Sequence, residues 1–180
     1  MQKILVVDDV ELNREILQDI LEEEYAVEMA ENGEEALQKL RQYQDETVAL
    51  LLDLQMPVMN GFAVLAEMGE KGWLEKIPVL IISGEDGAEV ENQCFELGVS
   101  DFIHKPFVSS VVRNRVRNSV ELFASRNRLE QKVEEQAETL EKQYQIIQLQ
   151  EKKLMEARPF NHLMMEYRST IMEVETRLHV

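Results

Sequence analysis

VALLLD, residues Val48 to Asp53, is the stretch whose reading decides the fold: five apolar residues in a row, closed by an acid. An apolar run this short is a strand signal, and its lack of alternation predicts burial on both faces, as in a parallel sheet covered by helices. Working outward, the same pattern recurs. ILVV (Ile4 to Val7) ends on Asp8 and Asp9, and PVLIIS (Pro78 to Ser83) ends on a hydroxyl. The weaker AVEMA (Ala26 to Ala30) and DFIHK (Asp101 to Lys105) bring the strands to five. Between them lie helix patterns: Leu12, Ile16, Leu17, Ile20 and Leu21 at three-four spacing, then ENGEEALQKL, MNGFAVLAEMGEKG and GAEVENQCFELG. Five strand-helix units predict an α/β domain built on a doubly wound, five-stranded parallel sheet. Gly72 and Gly98 fall just past helix patterns, where a left-handed C-terminal cap is needed.

The chain has 180 residues, 44% hydrophobic and 30% charged, enough for one domain and an appendage. No apolar run reaches the roughly 18 residues that span a bilayer, and MQKILVVDD has acids where a secretory signal continues its apolar stretch; the expectation is a cytoplasmic protein. The lone Cys94 allows no internal disulfide and reads as part of a helix face. Residues 1–107 hold 24 acids and 7 bases, whereas residues 108–180 hold 11 and 12. An acidic first domain argues against a phosphate-backbone partner and suits a divalent cation.

After Val108 no glycine occurs, and Pro159 is the last proline. A helix of about 50 residues, about 75 Å long, is expected up to Arg158. Val133, Leu140, Ile147 and Leu154 recur every seven residues, the spacing of a coiled-coil seam, although Gln136, Gln143 and Gln150 occupy its companion positions. Pro159, with no amide donor, is expected to stop or kink this helix. Leu163, Tyr167, Ile171, Val174 and Leu178 then outline a further amphipathic helix. The expected division is residues 1–122, 123–158 and 159–180.

Ligands of open parallel sheets bind beyond the carboxyl ends of the strands. Asp8, Asp9, Asp53, Ser83 and Lys105 all fall at such ends. A lone acid there is most often a cap or turn residue. Three crowded carboxylates, however, repel one another unless a counter-charge is present. Oxygen ligands without His or Cys select a hard ion such as Mg2+. Phosphoryl transfer needs an oxygen nucleophile in line and positive charge on the equatorial oxygens. Asp53 on the central strand is the candidate nucleophile, with Lys105 as fixed cation and Ser83 as hydroxyl donor.

ILVVDD, LLLDLQMPVMNG, PVLIISG and DFIHKPF resemble, in order and spacing, the landmarks of the response-regulator receiver domain of two-component signalling. The resemblance covers residues 1 to about 120 and implies the flavodoxin-like strand order 2-1-3-4-5. It further implies Mg2+ on Asp8, Asp9, Asp53 and the backbone carbonyl of Gln55, a phosphoryl group accepted by Asp53, and contacts from Ser83 and Lys105. Phe102 matches the aromatic switch position, and Lys105-Pro106 the step whose peptide bond is usually cis. The stretch from Glu130 through Leu140 into MMEYRSTIMEVETRLHV resembles the connector to an HD-type phosphohydrolase output domain, commonly acting on cyclic dinucleotides, with Glu175 and His179 as its first site residues. On this reading the chain itself is no enzyme.

The resemblance implies a switch in which a sensor histidine kinase phosphorylates Asp53, Phe102 turns inward, and a dimeric helical extension carries the change. The alternative is a phosphorylation-independent dimeric scaffold or binding module. Arg113, Arg115 and Arg117 raise the question of DNA, but they read as a solvated helix face, and no helix-turn-helix follows; direct nucleic-acid binding and membrane association are not expected. His104, His162 and His179 have no partner at metal-ligand spacing.

Overall fold

A computed structural model of the chain describes residues 2–43, 45–84 and 87–178, without the side chains of 157–161 and 174–178. Its strands are β1 (Lys3–Val7), β2 (Ala26–Ala30), β3 (Thr47–Asp53), β4 (Val79–Ser83) and β5 (Asp101–His104). Its helices are α1 (Glu11–Leu21), α2 (Gly33–Tyr43), α3 (Gly61–Glu70), α4 (Ala88–Glu96) and α5 (Ser109–Leu178). All strands run parallel in the order β2-β1-β3-β4-β5. This is the doubly wound receiver architecture, and its strand order reverses between β1 and β3.

Alternate residues of each strand face opposite sides of the sheet. Leu5, Val7, Leu50, Leu52, Val79 and Ile81 pack under α2, α3 and α4 through Leu37, Leu40, Val64, Leu65, Met68 and Cys94. Ile4, Val6, Ala49, Leu51, Leu80 and Ile82 pack with Leu17, Ile20 and Leu21 of α1 and with Val112, Val116 and Val120 of α5. The unbroken apolar runs of β1, β3 and β4 are thus the central strands, buried on both faces. In α1 the sequence pattern was wider than the buried face: Leu12 is 62% and Ile16 36% exposed. A helix lying on one layer covers only a stripe of its circumference, and these two residues fall outside it.

Helices α3 and α4 both end in Schellman caps. Gly72 (φ 66°) and Gly98 (φ 95°) are left-handed. Trp73 N–H donates to the Met68 carbonyl at 2.8 Å and Val99 N–H to that of Cys94 at 3.1 Å. The expected cap roles therefore hold, and the Lys105-Pro106 bond is cis.

The chain divides into two compact units, Met1–Arg128 and Leu129–Val180. The first extends past Leu122, where Arg126 donates to the Glu75 carbonyl at 3.0 Å and lies over the Phe123 ring. In the second unit, Leu129, Val133, Leu140, Ile147 and Leu154 are each more than half exposed. Helix α5 continues through Pro159, so the expected stop is not found there. An interior proline removes one intrahelical bond and crowds the preceding turn, at a cost of about 3 kcal/mol, without necessarily ending the helix. Among the described residues no helix is long and apolar enough to cross a membrane.

Because an added Cβ at Gly72 meets nothing within 4 Å, only its positive φ is at stake. Gly72→Ala is expected to lower the unfolding free energy by about 1–2 kcal/mol in urea titration. An unchanged midpoint would show that the cap can relax.

Candidate functional site

The parallel register brings the strand ends together. Val7 lies beside Leu52, Asp53 beside Ile82, and Ser83 beside His104. Lys105 N–H donates to the Ser83 carbonyl at 2.8 Å and so extends the β4-β5 pairing one step. Asp8, Asp9, Asp53, Ser83 and Lys105 accordingly occupy one edge of the sheet at the crevice between β1 and β3. A cleft of about 490 Å³ lined by Asp9, Gln55, Asn60 and Phe62 opens beside it.

Carboxylate oxygens of Asp8, Asp9 and Asp53 lie within 4.8 Å of one another. Asp8 has no exposed surface and Asp53 only 7%, whereas Asp9 is exposed. Lys105 supplies the compensating charge: its Nζ is 2.7 Å from Asp53 Oδ2 and 3.0 Å from Asp8 Oδ2. Gln55 N–H donates to Asp53 Oδ1 at 2.9 Å. Burial raises the Asp53 carboxyl above its ordinary value; the Lys105 ammonium and the Gln55 amide oppose that rise, and the Asp8 charge adds to it. Burial also works to lower Lys105, but its bonds to Asp53 and Asp8 prevail and hold it above its ordinary value. The set of hard oxygen donors, short of positive charge, fits a divalent cation.

The loop after β3 holds Asp53 by close approach. Gly61 N–H donates to the Leu54 carbonyl at 3.0 Å, and a Cβ on Gly61 would lie 2.5 Å from the Asp53 carbonyl oxygen. A glycine at the start of α3 is therefore required by contact with the end of β3. Asn60 Oδ1 caps α3 by accepting from Ala63 N–H at 2.9 Å.

Two site residues were not read from the sequence. Asn13 Nδ2 donates to both Asp8 carboxylate oxygens at 3.0 Å, and Arg14 Nη1 donates to the Asp8 carbonyl at 2.6 Å. Their only sequence signal is a place in the first turn of α1, five and six residues after Asp8, where a solvated face reads the same.

Ser83 is 1% exposed and Phe102 4%. The Phe102 ring meets Phe95 edge-on at 5.1 Å. The expected inward turn of Phe102 would therefore start from a ring already packed inside. His104 stacks near Phe102, and its Nε2 lies 3.7 Å from Glu91 Oε1. Arg113, Arg115 and Arg117 engage the Ile20 carbonyl, Asp101 and Glu24. His162 is exposed; the side chain of Glu175 and all of His179 lie outside the described residues.

The raised Asp53 value has a sign that can be checked. Since the folded chain holds this proton to higher pH than the unfolded one, the contribution of Asp53 to stability is full below the unfolded value and is lost as pH rises through the folded one. In carboxyl-carbon NMR without divalent ions, Asp53 is expected to titrate above 3.8 and, in Lys105→Met, higher still. A downward move in that variant would show that Lys105 does not stabilise the anion.

The model of the response regulator receiver domain matches residues 4–117. A protein-glutamate methylesterase/protein-glutamine glutaminase of Bacillus subtilis is 40% identical over 111 residues, 59% of this chain and 30% of that protein. A probable cyclic di-GMP phosphodiesterase of Vibrio cholerae is 34% identical over 118 residues, 66% of this chain and 26% of that protein. The chain thus spans less than a third of the length of these two relatives. Among solved structures, the Vibrio cholerae chemotaxis protein CheY4 superposes with a TM-score of 0.61 and 27% identity, covering 66% of this chain and 98% of that one. With the family model covering more than half of the sequence and the same strand order in the structure, the chain belongs to the response regulator receiver domain family.

Proposed function

We propose that this chain is a phosphorylation switch in which Asp53 accepts a phosphoryl group from the phosphohistidine of a sensor kinase in the cytoplasm. The observation that carries the reading is the Lys105 ammonium set between two buried carboxylates, Asp53 and Asp8, at the strand-order reversal. In the transfer, the phosphorus-nitrogen bond to the donor histidine breaks and a phosphorus-oxygen bond to the Asp53 carboxylate forms. Lys105 turns its charge to the equatorial oxygens, and Ser83 donates its hydroxyl to one of them. Asp8, Asp9, Asp53 and the Gln55 carbonyl are the residues that would hold Mg2+, which when bound supplies positive charge against the carboxylates and the phosphoryl oxygens. A new dianionic group at Asp53 changes what Ser83 and Lys105 pair with. Phe102, packed on β5 between these residues and α4, is the proposed relay to the surface.

Acetyl phosphate with Mg2+ is expected to add one phosphoryl mass to the intact protein, and Asp53→Asn to remain unmodified. Absence of the adduct in the parent chain would favour the phosphorylation-independent scaffold.

The output belongs to the second unit. Val133, Leu140, Ile147 and Leu154, exposed at seven-residue spacing on one helix, support a homodimer formed through a coiled coil. The connector-like segment is the basis for proposing a cyclic-dinucleotide hydrolase of the HD type as the output; the relatives named above carry different outputs, a methylesterase/glutaminase in one and a probable cyclic di-GMP phosphodiesterase in the other. Leu140→Glu with Ile147→Glu is expected to convert dimer to monomer in sedimentation equilibrium. A dimer that persists would place the interface on the receiver.

A further inference from the structure

A buried carboxylate has about four lone-pair positions to satisfy. At Asp8 all four are taken by the protein itself. Oδ1 accepts from Val10 N–H at 2.9 Å and from Asn13 Nδ2 at 3.0 Å; Oδ2 accepts from the same Asn13 nitrogen at 3.0 Å and faces Lys105 Nζ at 3.0 Å. With no exposed surface, the carboxylate has no room for a further partner unless one of these withdraws.

We propose that Asn13 sets the affinity of the carboxylate cluster for its divalent cation: its amide bonds both oxygens of the buried Asp8 carboxylate and so competes with the ion for that acid. This rests on the reading of Asp8, Asp9 and Asp53 as the cation site. The four contacts are not equally easy to give up. The Val10 donor is main chain, fixed in the turn between β1 and α1. The Lys105 contact is charge-assisted, and the same ammonium holds Asp53. The Asn13 contact is neutral, and rotation of one short side chain on α1 releases it without moving backbone. Asp8 itself is anchored, because Arg14 grips its carbonyl at 2.6 Å. With Asp8 fixed in place, the neutral Asn13 contact is the one given up at least cost when the ion engages that acid.

The arrangement has two consequences. While the site holds no ion, Asn13 and Lys105 together keep a buried carboxylate solvated by protein, so the cluster remains assembled. Once the ion enters, breaking the amide contact offsets part of its binding free energy. Asn13 is thus a positioning residue that weakens cation binding, whereas a purely orienting residue would strengthen it.

Asn13→Leu keeps the size and removes the donor; Asn13→Ala removes both. In the 180-residue chain, Mg2+ affinity by calorimetry and Mn2+ affinity by electron paramagnetic resonance are expected to rise on the order of tenfold in either variant that melts cooperatively. Asp9→Ala, measured alongside, is expected to lose affinity, which fixes the ion in this cluster. In the unmodified protein, Mg2+ saturation is expected to move the Asn13 side-chain amide signals in nitrogen NMR. Unchanged or weaker affinity in the folded variants, or amide signals that stay in place at saturation, would overturn the role of Asn13 while leaving the cation site standing. Failure of the unmodified chain to bind either ion would remove the site and this inference together.

Discussion

One ammonium group organises the functional edge of the sheet. Lys105 leaves the end of β5 and meets Asp53 from β3 and Asp8 from β1, so a single positive charge ties together strands that are distant in the chain. Without it, two buried carboxylates and a third at their side would face one another with no ammonium set between them. The charge is not enough for all three acids, and that deficit gives the site its chemistry. A divalent cation and a phosphoryl group, one positive and one negative, can be added as a pair without changing the sign of the balance.

The same edge is held by close packing that has little to do with charge. Gly61 lets α3 begin against the main chain of Asp53, and Gly33 lets α2 begin against Met59, whose side chain and carbonyl would both lie within 3 Å of an added Cβ. The loop between β3 and α3 is therefore gripped from two helices, with Val58 in left-handed backbone at its exposed tip. On the other face, the first turn of α1 reaches back to Asp8 through Asn13 and Arg14. A change at the carboxylates has rigid neighbours on both layers, which is the condition for passing a local event into the surface of a domain.

The long helix illustrates how one sequence element serves two environments. Val112, Val116 and Val120 are buried on the sheet, at four-residue spacing that keeps them on one face. Beyond it, Val133, Leu140, Ile147 and Leu154 keep a seven-residue spacing but stay exposed. Burying them takes a surface beyond this unit, which is the physical basis for reading the segment as an association element.

Much of this protein is legible in the sequence because the determining interactions are local or periodic. Unbroken apolar runs such as VALLLD specify strands covered on both sides, and Gly72 and Gly98 mark caps whose backbone excludes most other residues. Asp8, Asp53, Ser83 and Lys105 can be placed on one edge because parallel strands all end in the same direction. What tertiary structure alone decided depends on distances between segments remote in the chain. Leu12 and Ile16 fit the helical pattern of α1 yet lie outside the stripe that the sheet covers. Gly61 lies at a helix start, and only the packing of α3 on β3 shows that a side chain there would strike the main chain of Asp53. Asn13 and Arg14 are indistinguishable from a solvated helix face until the fold turns α1 back on the end of β1. Hydropathy records which residues leave water, but the partner of a polar group is set by geometry in space, and geometry of that kind is not periodic along the chain.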